Sequence, residues 1–166
     1  MEWLLLDSTV MRAHPCAAGV LKKNGGQKEQ ALGKSVGGFS TKIHVSVDAL
    51  GNPLRFILTG GQCGDAPQAI GLREGFKFEG VMADRGYDSD DILAFIAANE
   101  AEVVIPPKKN RKETREIDWF TYRERSLVEC FINRLKHYRG IFSRFEKYAS
   151  RYHSLLSFSS ALIWLT

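Results

Sequence analysis

An α/β fold with a mixed five-stranded sheet covered by helices is what the sequence predicts. Three observations carry this: apolar runs of strand length, one alternating segment followed by turn chemistry, and capped helical segments interleaved with the later strands. Residues 3 to 6, Trp-Leu-Leu-Leu, form a solid apolar run that stops at Asp7, as a buried strand does when it delivers a polar residue at its tip. Residues 12 to 38 hold six glycines and several lysines and read as a long mobile loop. Lys42 to Asp48 alternates, with Ile43, Val45 and Val47 on one side, and Leu54 to Thr59 is a second run. Leu50-Gly51-Asn52-Pro53 between them is turn chemistry, so a hairpin follows. Asp65-Ala66-Pro67 opens a helix with the acid as cap, and Gly75 closes it. Val81-Met82-Ala83 is a short strand that stops on Asp84. Ser89 caps a helix that carries Asp90 and Asp91 at its positive end and runs to about Asn99. Val103 to Ile105 is the last strand, ended by Pro106-Pro107, and helices follow.

Of the 166 residues, 44% are apolar and 25% charged, which fits one ordinary domain over 1–166 and excludes disordered, collagen-like and disulfide-scaffold classes. The weakly charged stretch 154–166 is too short for the ~20 residues of a membrane span. No secretory signal pattern stands at the N-terminus. Cys16, Cys63 and Cys130 are odd in number and widely spaced, which fits a reducing cytoplasm and no zinc motif.

The net charge of +4 hints only weakly at an anionic partner, but its placement says more. Lys108, Lys109, Arg111, Lys112 and Arg115 crowd the segment KKNRKETR, and Arg123, Arg125, Arg134, Lys136, Arg139 and Arg144 follow at once. One such run is ordinarily a solvated face; two adjacent runs in so small a chain point to a polyphosphate.

A lone strand-end aspartate is ordinarily a turn residue, so Asp7 and Asp84 gain weight only from a third acid. With Glu129 set at zero on a helix turning about 100° per residue, Tyr122 falls at roughly +20°, Arg125 at roughly −40° and Lys136 at roughly −20°. Leu127, Phe131, Leu135 and Tyr138 occupy the other side and supply a packing face. An Arg125 to Glu129 surface pair explains two members of the stripe; a surface that binds a charged polymer beside one acid explains all four.

Tyr122, Arg125, Glu129 and Lys136 match the Y-x2-R-x3-E-x6-K signature of bacterial insertion-sequence DDE transposases, and DSTVMRAH, ADRGYDS and IPPKKNRK resemble that family's other blocks, in the same order, from Leu4 to Leu165. The resemblance implies an RNase H-like core in which Asp7, Asp84 and Glu129 are the catalytic, metal-binding triad. It implies Mg2+, with Mn2+ as substitute, as two ions held by oxygen ligands. The implied reaction is DNA strand cleavage followed by strand transfer at transposon ends, on double-stranded DNA, by a homodimer or larger assembly in the bacterial cytoplasm at the nucleoid. Tyr122, Arg125, Lys136 and the five bases of 108–115 would bind DNA. Family members carry a helical DNA-recognition domain ahead of the first catalytic strand, whereas Met1 here stands six residues before Asp7. That spacing implies the downstream frame of a two-frame element, acting with an upstream-frame product, or a truncated copy that binds DNA with little selectivity.

His14 lies in a family-like block and is a candidate for lining the site, whereas His44, His137 and His153 show no ligand spacing. Asp65 reads as a helix cap and Asp88 as a turn acid or an orderer of the metal loop. Trp119 and Phe120 fit either a hydrophobic staple or a stacking platform. The glycine-rich loop lacks a P-loop pattern. Two other functions compete: an RNase H-like nuclease or resolvase, which needs similar acids but not the Tyr-Arg-Glu-Lys stripe, and a non-catalytic DNA-binding or regulatory remnant.

Overall fold

A computed structural model describes residues 2–19, 25–35, 37–112 and 115–165. The elements are β1 (Trp3–Ala13), α1 (Pro15–Ala18), α2 (Gly26–Glu29), β2 (Gly33–Ser35), β3 (Gly38–Val47), β4 (Pro53–Gly60), α3 (Ala69–Arg73), β5 (Gly80–Ala83), α4 (Asp90–Ala97), β6 (Glu102–Val104), α5 (Trp119–Tyr122), α6 (Ser126–Lys136), α7 (Arg139–Phe142), β7 (Ser143–Arg144) and α8 (Ala149–Trp164). The fold is α/β: among the described residues a mixed seven-stranded sheet of order β2-β3-β1-β5-β6, with β4 beside β3 and β7 beside β1, is flanked by helices. This is the arrangement expected of an RNase H-like core. The five anticipated strands are present, and the short β2 and β7 are additional.

Two compact units divide the chain. The first comprises residues 1–7, 45–55 and 64–131. Its centre is the parallel ladder in which Trp3, Leu4, Leu5 and Leu6 of β1 stand opposite Gly80, Val81, Met82 and Ala83 of β5. Leu4, Leu5 and Leu6 are all buried, so this stretch is covered on both faces and its apolar run is unbroken. Each such leucine contributes about 2 kcal/mol of apolar burial. A Cβ at Gly80 would collide with the Trp3 ring, so the glycine admits the indole and pins the register. Helix α4 starts where expected: the Ser89 hydroxyl accepts from the Ile92 amide at 3.4 Å, Asp90 and Asp91 lie in the first turn, and Ile92 and Ile96, one turn apart, are buried. The turn between β3 and β4 closes on Asp48, which accepts from the Leu50 and Asn52 amides, each at 2.9 Å.

The second unit comprises residues 8–44, 56–63 and 132–166. Here β7 pairs in parallel with the end of β1, Arg12 opposite Ser143 and Ala13 opposite Arg144. Arg144 is fully buried. Its guanidinium donates to Thr41 Oγ1 (2.6 Å) and to the carbonyls of Glu146 (2.8 Å), Lys147 (3.2 Å) and Ala31 (3.3 Å), and stacks on the Tyr152 ring at 5.1 Å. Desolvation lowers its pKa, against the opposing influence of Tyr152 and Glu146. Burial likewise pushes the Tyr152 hydroxyl well up, and it donates to the Ile141 carbonyl at 2.8 Å.

Three expectations are corrected. Strand β1 does not stop at Asp7 but continues to Ala13, because β3 is its hydrogen-bonded neighbour and β7, 131 residues downstream, pairs with its end. The segment 12–38 is not one loop: it contains the end of β1, α1, α2 and β2, while residues 20–24 and 36 lie outside the described residues. Asp65 makes no side-chain cap; Ala66–Gln68 is a 3-10 turn leading into α3.

Candidate active site

The β1/β5 register places the first two acids. Leu6 opposite Ala83 is the last paired step, and one further step sets Asp7 against Asp84. Parallel strands diverge there, since Asp84 turns its chain into the 3-10 turn Arg85–Tyr87 and accepts from the Gly86 amide at 2.8 Å. A Cβ at position 86 would come within 2.9 Å of Asp84 Oδ1, so the glycine allows this close approach.

Glu129 arrives from α6. The helical stretch that leads to it is interrupted: Asp118 caps α5, accepting from the Phe120 amide at 2.8 Å and the Thr121 hydroxyl at 2.5 Å, and a 3-10 turn at Arg123–Arg125 separates α5 from α6. The tighter turn rotates Tyr122 from its position on an ideal stripe, but Arg125 and Glu129 keep their four-residue spacing. Arg125 donates through Nη1 to Asp7 Oδ2 at 3.2 Å and through Nη2 to Glu129 Oε1. Its Cζ lies 5.8 Å from the centre of the Tyr122 ring, which meets Trp119 edge to face at 5.5 Å. Burial acts to lower the Arg125 pKa, but the charges of Asp7, Tyr122, Glu129 and Asp84 outweigh it and raise the pKa above the usual guanidinium value. One guanidinium therefore bonds two of the carboxylates, Asp7 and Glu129, and feels the charge of the third, Asp84.

No three His, Cys, Asp or Glu side chains among the described residues stand close enough, as placed, to hold a metal ion. The donor chemistry nevertheless fits a hard divalent cation, since all three acids offer oxygen, and the guanidinium between Asp7 and Glu129 stands in for a cation.

The basic segment is divided in its roles. Asp88, its side chain fully buried, accepts from the Lys108 amide (2.7 Å), Arg111 Nε (2.7 Å) and Arg115 Nη2 (2.9 Å). Burial alone would raise its pKa; the bonds from Arg111, Lys108 and Arg115, with the charge of Arg115, bring it down to about 2. Arg111 also pairs with Asp90 at 2.7 Å, and Arg115 also donates to the Ile105 carbonyl at 2.8 Å. Lys108, Lys109 and Lys112 are exposed. Lys108, Asn110 and Lys112 line a cleft of about 580 Å3 with Ser89 and Asp90. Glu113 and Thr114 lie outside the described residues. Asp88 thus ties the loop after Asp84 to the basic segment. The sequence raised it as an orderer of the metal loop but not as the anchor of two arginines 23 and 27 residues away.

Lys136 ends α6, is half-buried, and belongs to the second unit. Arg144 leaves the surface basic set because it is buried, and Arg134 donates to the Ile163 carbonyl at 2.9 Å. His14 caps α1, accepting from the Cys16 amide at 3.3 Å, and stacks against Phe145 at 4.7 Å. Trp119 and Phe120 are exposed rather than stapled into a core.

Residues 1–163 match the family model described as a transposase DDE domain. The chain is also 44% identical over 128 residues to a Brucella ovis protein named "Putative transposase for insertion sequence element IS6501", an alignment covering 76% of this chain and 98% of that relative.

Proposed function

Since the chain belongs to the DDE transposase family, we propose that Asp7, Asp84 and Glu129 bind divalent metal, Mg2+ with Mn2+ as substitute, and that this site cleaves DNA strands at insertion-sequence ends and transfers them to a target. The observation that supports this reading is one guanidinium that joins Asp7 to Glu129, from distant parts of the chain, with Asp84 delivered by the strand beside Asp7 and adding its charge. Carboxylates so gathered repel one another unless a cation neutralises them. A pair of divalent ions, when bound, supplies activation of water or a 3′-hydroxyl and stabilises the leaving oxygen of an in-line displacement.

The chain's own residues do the positioning. Asp7 and Asp84 follow directly on the last paired step of a buried ladder, so the sheet register sets where each chain delivers its acid. Exposed Lys108, Lys109 and Lys112 hold duplex phosphates, with Arg111 and Arg115 bracing the segment on Asp88. Tyr122, Arg125 and Lys136 contact DNA near the scissile bond. The protein acts as a homodimer or larger assembly on DNA.

Nicking of supercoiled plasmid with Mg2+ or Mn2+ tests the assignment. Asp7→Asn, Asp84→Asn and Glu129→Gln should each abolish nicking while circular dichroism shows a folded protein. Undiminished nicking by Asp84→Asn would overturn it.

A further inference from the structure

We propose that Arg125 is a positioning residue that holds Asp7 and Glu129 as an internal cation, and that divalent metal displaces its guanidinium from both. The proposal rests on the metal-binding reading above. Arg125 presents two different nitrogens to two different carboxylates, one on a strand 118 residues earlier and one on the next helical turn. Its side chain is 17% exposed, that of Asp7 16% and that of Glu129 48%, so the guanidinium and Asp7 are largely shielded while Glu129 is open to solvent. A guanidinium cannot relieve crowding by losing a proton at any ordinary pH. It can only move.

A metal ion and this guanidinium, both cations, compete for the same two carboxylates. Mg2+ draws carboxylate oxygens to about 2.0–2.1 Å in octahedral geometry. Asp7 Oδ2 and Glu129 Oε1 already accept from Arg125. Charge favours the exchange. Three carboxylates and one guanidinium sum to −2, which repels a phosphate; one divalent ion cancels that sum. The freed guanidinium keeps its charge and has the Tyr122 face beside it, 5.8 Å away, as a resting surface. It is then available to an anion. Metal loading would thus switch Arg125 from holding acids to holding phosphate.

Calorimetric titration of the full chain with MnCl2, without DNA, tests this. Arg125→Gln should bind Mn2+ roughly tenfold or more tightly than wild type, the scale of one charge-assisted hydrogen bond no longer in competition. Mere structural damage would instead weaken binding. If wild type binds Mn2+, Asp84→Asn does not, and Arg125→Gln binds equally or more weakly, displacement is wrong and the metal reading stands. If neither wild type nor Arg125→Gln binds, both are wrong. A measurement on wild type covers the case of an unfolded variant. The Nε–H resonance of Arg125 should shift and exchange faster with water as Mg2+ saturates the site. An unmoved resonance at saturation overturns the proposal.

Discussion

Arg115 Nη2 donates at once to Asp88 Oδ1 at 2.9 Å and to the Ile105 carbonyl at 2.8 Å, so a single nitrogen joins the loop after β5 to the end of the last parallel strand. With Arg111 on the other carboxylate oxygen, the buried Asp88 has both oxygens engaged by cations. A buried carboxylate so paired is costly to uncouple, because removing it takes the anion from Arg115 and leaves Arg111 only the exposed Asp90.

Acid should therefore weaken the protein through Asp88. Its folded pKa is about 2 against an ordinary 3.8, so the folded state holds this proton less tightly than the unfolded chain. The stabilisation is present above the unfolded value and is lost as pH falls through 4 towards 2. Its size is roughly 2 kcal/mol. Urea denaturation at pH 7, 4 and 2.5 should show a midpoint gap between wild type and Asp88→Asn that narrows with acid. A gap independent of pH would remove Asp88 from the titration.

Lysines and arginines of the basic segment should separate experimentally. Replacing Lys108, Lys109 and Lys112 by Gln should lower the salt slope of DNA affinity by about one unit for each phosphate no longer neutralised, with little change in stability. Replacing Arg111 and Arg115 by Gln should mainly lower the urea midpoint. The opposite partition would mean that the arginines leave Asp88 to meet DNA.

Lys136→Ala should weaken binding to duplexes of any sequence and reduce the salt slope by about one unit. Titrations at several salt concentrations read the slope directly. An unchanged slope would assign this half-buried lysine to packing alone.

Arg144 should matter for stability and not for DNA. Arg144→Met strands carbonyls that now accept its hydrogen bonds, at a cost of about 2–3 kcal/mol. Arg144→Lys should rescue little, because an ammonium cannot reproduce the planar fork. Thermal melts decide this. A Lys variant as stable as wild type would leave the four acceptors without importance.

What could be read from the sequence was what short-range pattern determines. The Trp3 to Leu6 and Val81 to Ala83 runs announce buried strands, and each places its aspartate immediately afterwards. Arg125 and Glu129 are paired by helical spacing alone. The rest depended on partners distant in the chain. Ser8 to Ala13 stays in a strand partly because Ser143 and Arg144 pair with its end. Arg144 reads as a surface base beside Arg139, yet Ala31, Thr41 and two nearby carbonyls make it a buried one. Asp88 looks like a turn acid until its two arginines are placed.

The pairing of β1 with β5 makes the spacing of acids a matter of counting. One residue inserted between Gly80 and Asp84 would reverse the alternation and send the carboxylate to the opposite face of the sheet. Two would restore the face and shift the acid by about 6.6 Å along the strand. Trp3 over Gly80 blocks the compensating slip, since every other position of β5 carries a Cβ. Length variation among descendants of this gene should therefore be absent from residues 3–7 and 80–84 and tolerated in the Asp48–Asn52 turn, where no ladder keeps the tally.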